Sequence, residues 1–202
     1  MRIGIFGGTF DPVHMGHLIL AEQCRVQANL DEVWFVPSAQ PPHKPNAITR
    51  FEHRCDMLEL AIAGHPAFRV SRIEKERDAP SFTAVTLEQL HTRHPGDAFA
   101  LLLGSDCLPD LPGWYEPRKI IALAELIVVP RPGGMLWTAE RLARALQIDA
   151  SQVRLRFIAC PMIDIASREL RRAVSDGLSI RYLVPRAVEE YIRERKLYWP
   201  SG

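Results

Sequence analysis

Six short apolar runs, separated by stretches of helical periodicity, set the narrowest limits on how this chain can fold. They fall at residues 3–6, 33–36, 68–73, 98–103, 126–129 and 155–158. The fourth run is continuous: Ala98, Phe99, Ala100, Leu101, Leu102 and Leu103. A strand with one wet face alternates polar and apolar residues, whereas an unbroken run suits a strand covered on both faces of a parallel sheet. Between the runs, Phe51, Cys55, Leu58 and Ile62 fall at i, i+4, i+7 and i+11, one face of a helix. Helical patterns recur at 83–91, 139–146, 167–175 and 185–195, with Pro185 suited to a first turn. Strands alternating with helices through right-handed crossovers predict an α/β fold, a doubly wound parallel sheet with a small C-terminal helical portion. No repeat or low-complexity tract interrupts the chain, and the segments 37–45 and 131–138 read as loops rather than linkers. Residues 1–202 are therefore expected to form one domain, a length that suits one core.

Charge and cysteine usage narrow the function classes. Lys and Arg number 25 against 24 Asp and Glu, a formal net charge of +1. Without a global basic excess, nucleic acid is not the expected partner, and any phosphate chemistry must come from local clustering. Cys24, Cys55, Cys107 and Cys160 form no C-x-x-C pair, so they read as buried thiols in a reducing compartment. The chain opens on a strand-like run, and no stretch approaches the about 18 apolar residues of a membrane span. A cytoplasmic protein with no membrane partner is the expectation. Oligomeric state is not legible.

The first run leads into Gly7-Gly8-Thr9-Phe10-Asp11-Pro12-Val13-His14-Met15-Gly16-His17. Glycines let backbone N–H groups approach a ligand, and the helix that follows presents its positive end to an anion. His14 and His17 share a face of the first helical turn, where two imidazoles can donate to a polyphosphate. The same pair could bind a metal, but no third ligand follows at a familiar spacing, or it could simply pack. The string is neither a P-loop nor the dinucleotide fingerprint.

Further candidates follow at run ends. Pro37-Ser38-Ala39-Gln40-Pro41-Pro42-His43-Lys44 is a stiff loop ending in an ammonium that either meets phosphate or points to solvent. Ser81-Phe82-Thr83-Ala84-Val85-Thr86-Leu87 opens a helix, with capping chemistry as the plain reading. Gly104-Ser105-Asp106 ends the central run. Asp106 can orient a ribose or hydrated magnesium, or cap a helix; Trp114, beside Tyr115, can stack on a flat ring or belong to the core. Arg131 sits in a turn with Pro132 and Gly133. Ile165-Ala166-Ser167-Arg168-Glu169-Leu170-Arg171 opens another helix, in which Ser167 serves as N-cap and phosphate donor and Arg171 as a forked cation. Arg168 either adds a second cation or points to solvent.

The string G-G-T-F-D-P-x-H-x-G-H resembles the signature of the nucleotidyltransferase superfamily related to class I aminoacyl-tRNA synthetases. Together with P-P-H-K, G-S-D…W and R-P-G, the chain is similar to bacterial nicotinate-nucleotide adenylyltransferases from Gly7 to about Tyr198. The resemblance, not the spacing, supplies the reaction: ATP and nicotinate mononucleotide give nicotinate adenine dinucleotide and pyrophosphate on a Rossmann-like fold. It implies that His14, His17, Lys44 and Arg171 carry the catalysis. ATP would meet Gly7, Gly8, Thr9, Phe10, His14, His17, Lys44, Gly104, Asp106, Ile165, Ser167 and Arg171. The mononucleotide would meet Thr9, Lys44, Thr83, Asp106, Trp114, Tyr115 and Arg131. Mg2+ would enter with ATP, with no metal site built from protein ligands. Phe82, Val85, Ala166 and Arg168 depart from the family's usual tyrosine, acid, serine and threonine; Val85 puts an acidic role at that point in doubt, while a backbone-amide role at Thr83 survives. Relatives that use phosphopantetheine or CTP share the H-x-G-H region but not the later blocks. A non-catalytic nucleotide sensor would not need both histidines, Lys44 and Arg171.

Overall fold

The computed structural model describes residues 1–40, 49–77, 80–130 and 137–200. Six strands form one sheet: β1 (Arg2–Gly8), β2 (Glu32–Pro37), β3 (Phe68–Val70), β4 (Ala98–Gly104), β5 (Ala124–Val129) and β6 (Leu155–Phe157). Every pairing is parallel and the order is β3-β2-β1-β4-β5-β6. The chain thus winds outward from β1 in one direction, then crosses to β4 and winds outward in the other. The crossing falls between β1 and β4, and in such sheets ligands bind beyond the carboxyl ends of the strands at this switch point.

Helices α1 (Met15–Gln27), α2 (Phe51–Ile62), α6 (Ser167–Ser175) and α7 (Arg186–Glu194) cover one face. Helices α3 (Thr83–Arg93), α4 (Pro117–Leu123) and α5 (Ala139–Leu146) cover the other. β4 shows why its sequence carries no alternation. Ala100 and Leu102 pack into the first layer, Leu101 and Leu103 into the second, and all four are buried. Among the described residues no helix is long and apolar enough to cross a membrane.

Three local expectations need correction. The run at 68–73 is a strand only over Phe68–Val70; Ile73 opens a 3-10 turn, Ile73–Glu76, and is buried there. An apolar residue reports burial, not backbone geometry. Ser167 is the first helical residue of α6 and Ala166 is the N-cap; likewise Pro185 caps α7 rather than entering its first turn. Helix α4 was not legible: it has seven residues, too few for a 3.6-residue period to repeat, and it buries only Ile120 and Ile121.

Candidate active site

The carboxyl end of β1 runs into a loop that is clamped from several sides. Phe10 turns back with φ 51° and seals its ring in the core, 2% exposed, edge-on to Phe6 and Phe35. A Cβ on Gly8 would lie 2.9 Å from that ring, so this glycine is required by the turn itself. Phe10 therefore has only its backbone left to meet a nucleotide. Next, the Thr9 carbonyl accepts from Arg54 Nη1 at 2.8 Å and the Asp11 carbonyl from Arg171 Nη1 at 2.7 Å. The Pro12 carbonyl accepts from Ser167 Oγ at 2.9 Å. Ser38 N–H donates to the Gly8 carbonyl at 2.8 Å, tying the ends of β1 and β2 together.

The loop delivers the two histidines. His14 is the N-cap of α1 and is buried, 4% exposed. Its backbone N–H donates to His17 Nδ1 at 3.2 Å, and the two rings stack with centroids 3.6 Å apart. A neutral imidazole that accepts at Nδ1 carries its proton on Nε2. His17 is thereby fixed as an Nε2–H donor, its ring held edge-on to Phe6 and Phe10. Gly16 leaves room for this stack, since a Cβ there would lie 3.1 Å from His14 Nδ1.

Arg54, which belongs to none of the sequence motifs, also holds this loop. It lies three residues after Phe51, on the buried stripe of α2, 4% exposed. Besides Thr9 it donates to the carbonyls of Ser38 (2.8 Å) and Thr49 (3.1 Å). Burial lowers its pKa while the nearby Asp11 raises it. The signal was available: a cation on an apolar helical face needs acceptors in the interior. Asp11, Tyr198 and Glu74 were likewise missed as side-chain anchors. Asp11 is 1% exposed and accepts the Tyr198 hydroxyl at 2.6 Å. Burial, and then the adjacent Asp11 carboxylate, push the Tyr198 hydroxyl far above the ordinary tyrosine range.

A second group lines the neighbouring end of the sheet. Gly104 ends β4 and caps the turn Ser105–Cys107, so Asp106 lies within that turn and is exposed, not a helix cap. Ser81 does not cap α3 either; Phe82 occupies that position, and Ser81 Oγ accepts from Gln40 N–H at 2.9 Å. Phe82 stacks on Tyr115 with centroids 4.5 Å apart, and Tyr115 is 50% exposed. Trp114 is half-buried against the second layer, so the core reading holds for part of its surface. Beneath Thr83, Thr86 Oγ1 donates to Glu74 Oε1 (2.7 Å) and accepts from Arg77 Nη2 (2.8 Å), while Glu74 Oε2 accepts from Ala39 N–H (3.3 Å). This buried network fixes the start of α3 against the loop after β2. Lys44 and Arg131 lie outside the described residues.

The structure thus gathers His14, His17, Ser167 and Arg171 around one loop at the end of β1. Gly104 ends β4, the strand paired with β1, and Asp106 lies in the turn that follows it. Thr83, Trp114 and Tyr115 form a separate, partly aromatic edge joined through the Phe82–Tyr115 stack. A cavity of about 530 Å3 opens along the β3 edge of the sheet, lined by Trp34, Arg69, Arg93 and His94 among others. The site chemistry is not there: its charged groups are paired with one another, as Arg69 with Glu32 and Arg93 with Glu76.

A two-direction parallel sheet with a histidine pair at its switch point defines a nucleotidyltransferase of the Rossmann-like class, and the cytidylyltransferase-like family model matches residues 5–172. The probable nicotinate-nucleotide adenylyltransferase of Salinibacter ruber is 43% identical over 202 residues, all of both chains. Another of that name, from Thermomicrobium roseum, is 43% identical over 98% of this chain and 91% of its own. The chain belongs to the nicotinate-nucleotide adenylyltransferase family. Its fold matches that of Plasmodium falciparum nicotinic acid mononucleotide adenylyltransferase complexed with NaAD, with a TM-score of 0.80 at 22% identity over 98% of this chain and 97% of that one.

Proposed function

We propose that the chain transfers the adenylyl group of ATP to nicotinate mononucleotide, forming nicotinate adenine dinucleotide and pyrophosphate, a step of NAD biosynthesis. A phosphate oxygen of the mononucleotide forms the new bond to the α-phosphorus of ATP. The bond from that phosphorus to the bridging oxygen breaks, and pyrophosphate leaves with the electron pair. The attacking group is already an anion, so no protein nucleophile or strong base is needed. The protein's task is to align two mutually repelling anions and to meet charge as it develops.

The observation that carries this reading is the hydrogen bond from the His14 N–H to His17 Nδ1, which leaves the Nε2 side of the ring as the donor at the end of β1. His14 and His17 donate to the triphosphate, with Lys44 and Arg171 supplying cationic charge. Gly7, Gly8, Thr9 and Phe10 offer backbone beside it. Ser167 opens α6, with Ile165 just before its cap, and the N-terminal end of this helix favours anions. Gly104 and Asp106 face the nucleoside sugars. Thr83 receives the nicotinate carboxylate through backbone amides at the start of α3. Trp114 and Tyr115 flank the pyridine ring, and Arg131 lies on the mononucleotide side.

Nucleotidyltransferases of this kind use a divalent metal with ATP. We take it to be Mg2+, arriving as the metal–ATP complex and supplying Lewis-acid charge at the phosphates. The donors around the β1 loop are imidazoles and a guanidinium, which suit phosphate oxygens, while the Ser167 hydroxyl donates to the Pro12 carbonyl. Among the described residues no group of three His, Cys, Asp or Glu side chains is arranged to hold a metal ion.

Pyrophosphate release measured in parallel with ATP and nicotinate mononucleotide, nicotinamide mononucleotide or phosphopantetheine, and with CTP in place of ATP, tests the reading. Turnover should be highest with ATP and nicotinate mononucleotide. Higher turnover with another pair, or ATP binding without turnover by any acceptor, would overturn it.

A further inference from the structure

We propose that Tyr198, in the tail after α7, is a positioning residue of the active site: through the buried Asp11 it holds the loop that carries His14 and His17. This rests on the proposed adenylyl transfer. Asp11 stands three residues before His14, and its side chain is sealed from water. The Tyr198 hydroxyl donates to Oδ1 at 2.6 Å. The other oxygen, Oδ2, has no hydrogen bond among the described residues and lies 3.9 Å from Arg171 Nη1, whose hydrogen bond goes instead to the Asp11 carbonyl. Removing the tyrosine hydroxyl therefore takes away the only hydrogen bond that the described residues give this buried carboxylate, and a buried anion stripped of its donor moves or draws in water.

The backbone supplies an independent observation. Tyr198 has φ 67° and Lys196 φ 51°. Bulky residues adopt this left-handed region only when the surroundings over-determine it. The tail is folded back against its own preference so that the ring reaches the β1 loop. The same hydroxyl is kept protonated by burial and by Asp11, so it remains a donor wherever the protein is folded.

The tail also carries its own control. Tyr191, on α7, donates its hydroxyl to Asp56 Oδ2 at 2.6 Å and meets His53 Nδ1 at 2.8 Å, pinning α7 to α2 without touching the histidine loop. Both tyrosines make a short bond from the C-terminal segment to a carboxylate, but only one leads to the reacting phosphates.

The test is steady-state kinetics of the full chain, Tyr198→Phe and Tyr191→Phe, with unfolding temperatures measured alongside. Tyr198→Phe should lower kcat by about ten-fold, on the scale of a small misplacement of reacting groups, and leave the KM for nicotinate mononucleotide within about two-fold. Tyr191→Phe should lower the unfolding temperature comparably and leave kcat unchanged. If Tyr198 acts through Asp11, Tyr198→Phe should cost less than about two-fold in an Asp11→Ala background (a non-additive pair). Equal kcat for Tyr198→Phe and the parent, or an equal fall for Tyr191→Phe, would overturn the proposal. If Asp11→Ala does not fold, the two tyrosine variants still decide. An inactive parent chain would instead overturn the function reading and this inference with it.

Discussion

At the scale of the residue, the donor role proposed for His17 depends on its neighbours. The His14 N–H sets which nitrogen bears the proton, Phe6 and Phe10 set the ring plane, and Gly16 leaves the space. Replacing His17 by Ala removes one preorganised donor, so kcat should fall by roughly two to three orders of magnitude, with nicotinate mononucleotide binding little changed; initial rates at saturating ATP check this. Trp114→Ala should raise the KM for nicotinate mononucleotide selectively, and an effect on unfolding temperature alone would make its half-buried ring structural. That the histidines, Ser167 and Arg171 meet at one loop was legible from the family-like blocks that carry them. Asp11, Arg54 and Tyr198 were not read as anchors. Their partners lie far along the chain, Tyr198 and Asp11 being 187 residues apart, and one sequence does not reveal such pairs. The same limit hid the capping pattern: Ser167 looked like an N-cap, but its hydroxyl is engaged by Pro12.

At the scale of the element, the pieces that sequence pattern predicts best are those whose surroundings are uniform. β4 is apolar on both faces and was legible end to end. The edges were not: β3 keeps three residues, and charged side chains support it from the adjacent strand. Glu32 on β2 accepts from Arg69 Nε at 2.6 Å and Arg69 Nη2 at 2.7 Å. The Arg69 guanidinium holds the Glu32 carboxyl below its ordinary value. A depressed carboxylate contributes stability above its unfolded pKa and loses it as pH falls through the folded one. The Glu32 contribution should therefore be present at neutral pH and disappear below about pH 4.5. Glu32→Gln should flatten the acid limb of stability against pH, read by urea unfolding at stepped pH. Arg54 joins α2 to three loop carbonyls. Arg54→Met leaves those acceptors buried, and with a cost of about 1–3 kcal/mol for each unsatisfied group, a loss of at least about 3 kcal/mol is expected. For a chain of this size that lowers the unfolding temperature by at least about 6 °C, which calorimetry measures.

At the scale of the whole molecule, the proposed site spans both halves of the sheet. The histidine loop leaves β1, the turn with Asp106 leaves β4, and the segment after β6 contributes Ser167 and Arg171. The C-terminal helical portion is not an appendage to this arrangement. Leu170 of α6 and Val188 and Ile192 of α7 lie in the same buried cluster as Phe6, Phe10 and Met57, so the tail shares a core with the loop it holds. A ligand gripped by all of these segments binds only when they are assembled, and its binding energy should stabilise every part together. Binding to the folded state alone, at about one hundred times Kd, contributes about 2.7 kcal/mol. At about 2–4 °C per kcal/mol for a chain of this length, a non-hydrolysable ATP analogue should raise the unfolding temperature by about 5–10 °C. Melting should remain one transition with and without the analogue, as expected of one cooperative domain over residues 1–202. Two transitions, with only the later one moved, would mean that the C-terminal portion unfolds apart from the sheet and that the nucleotide is held without it.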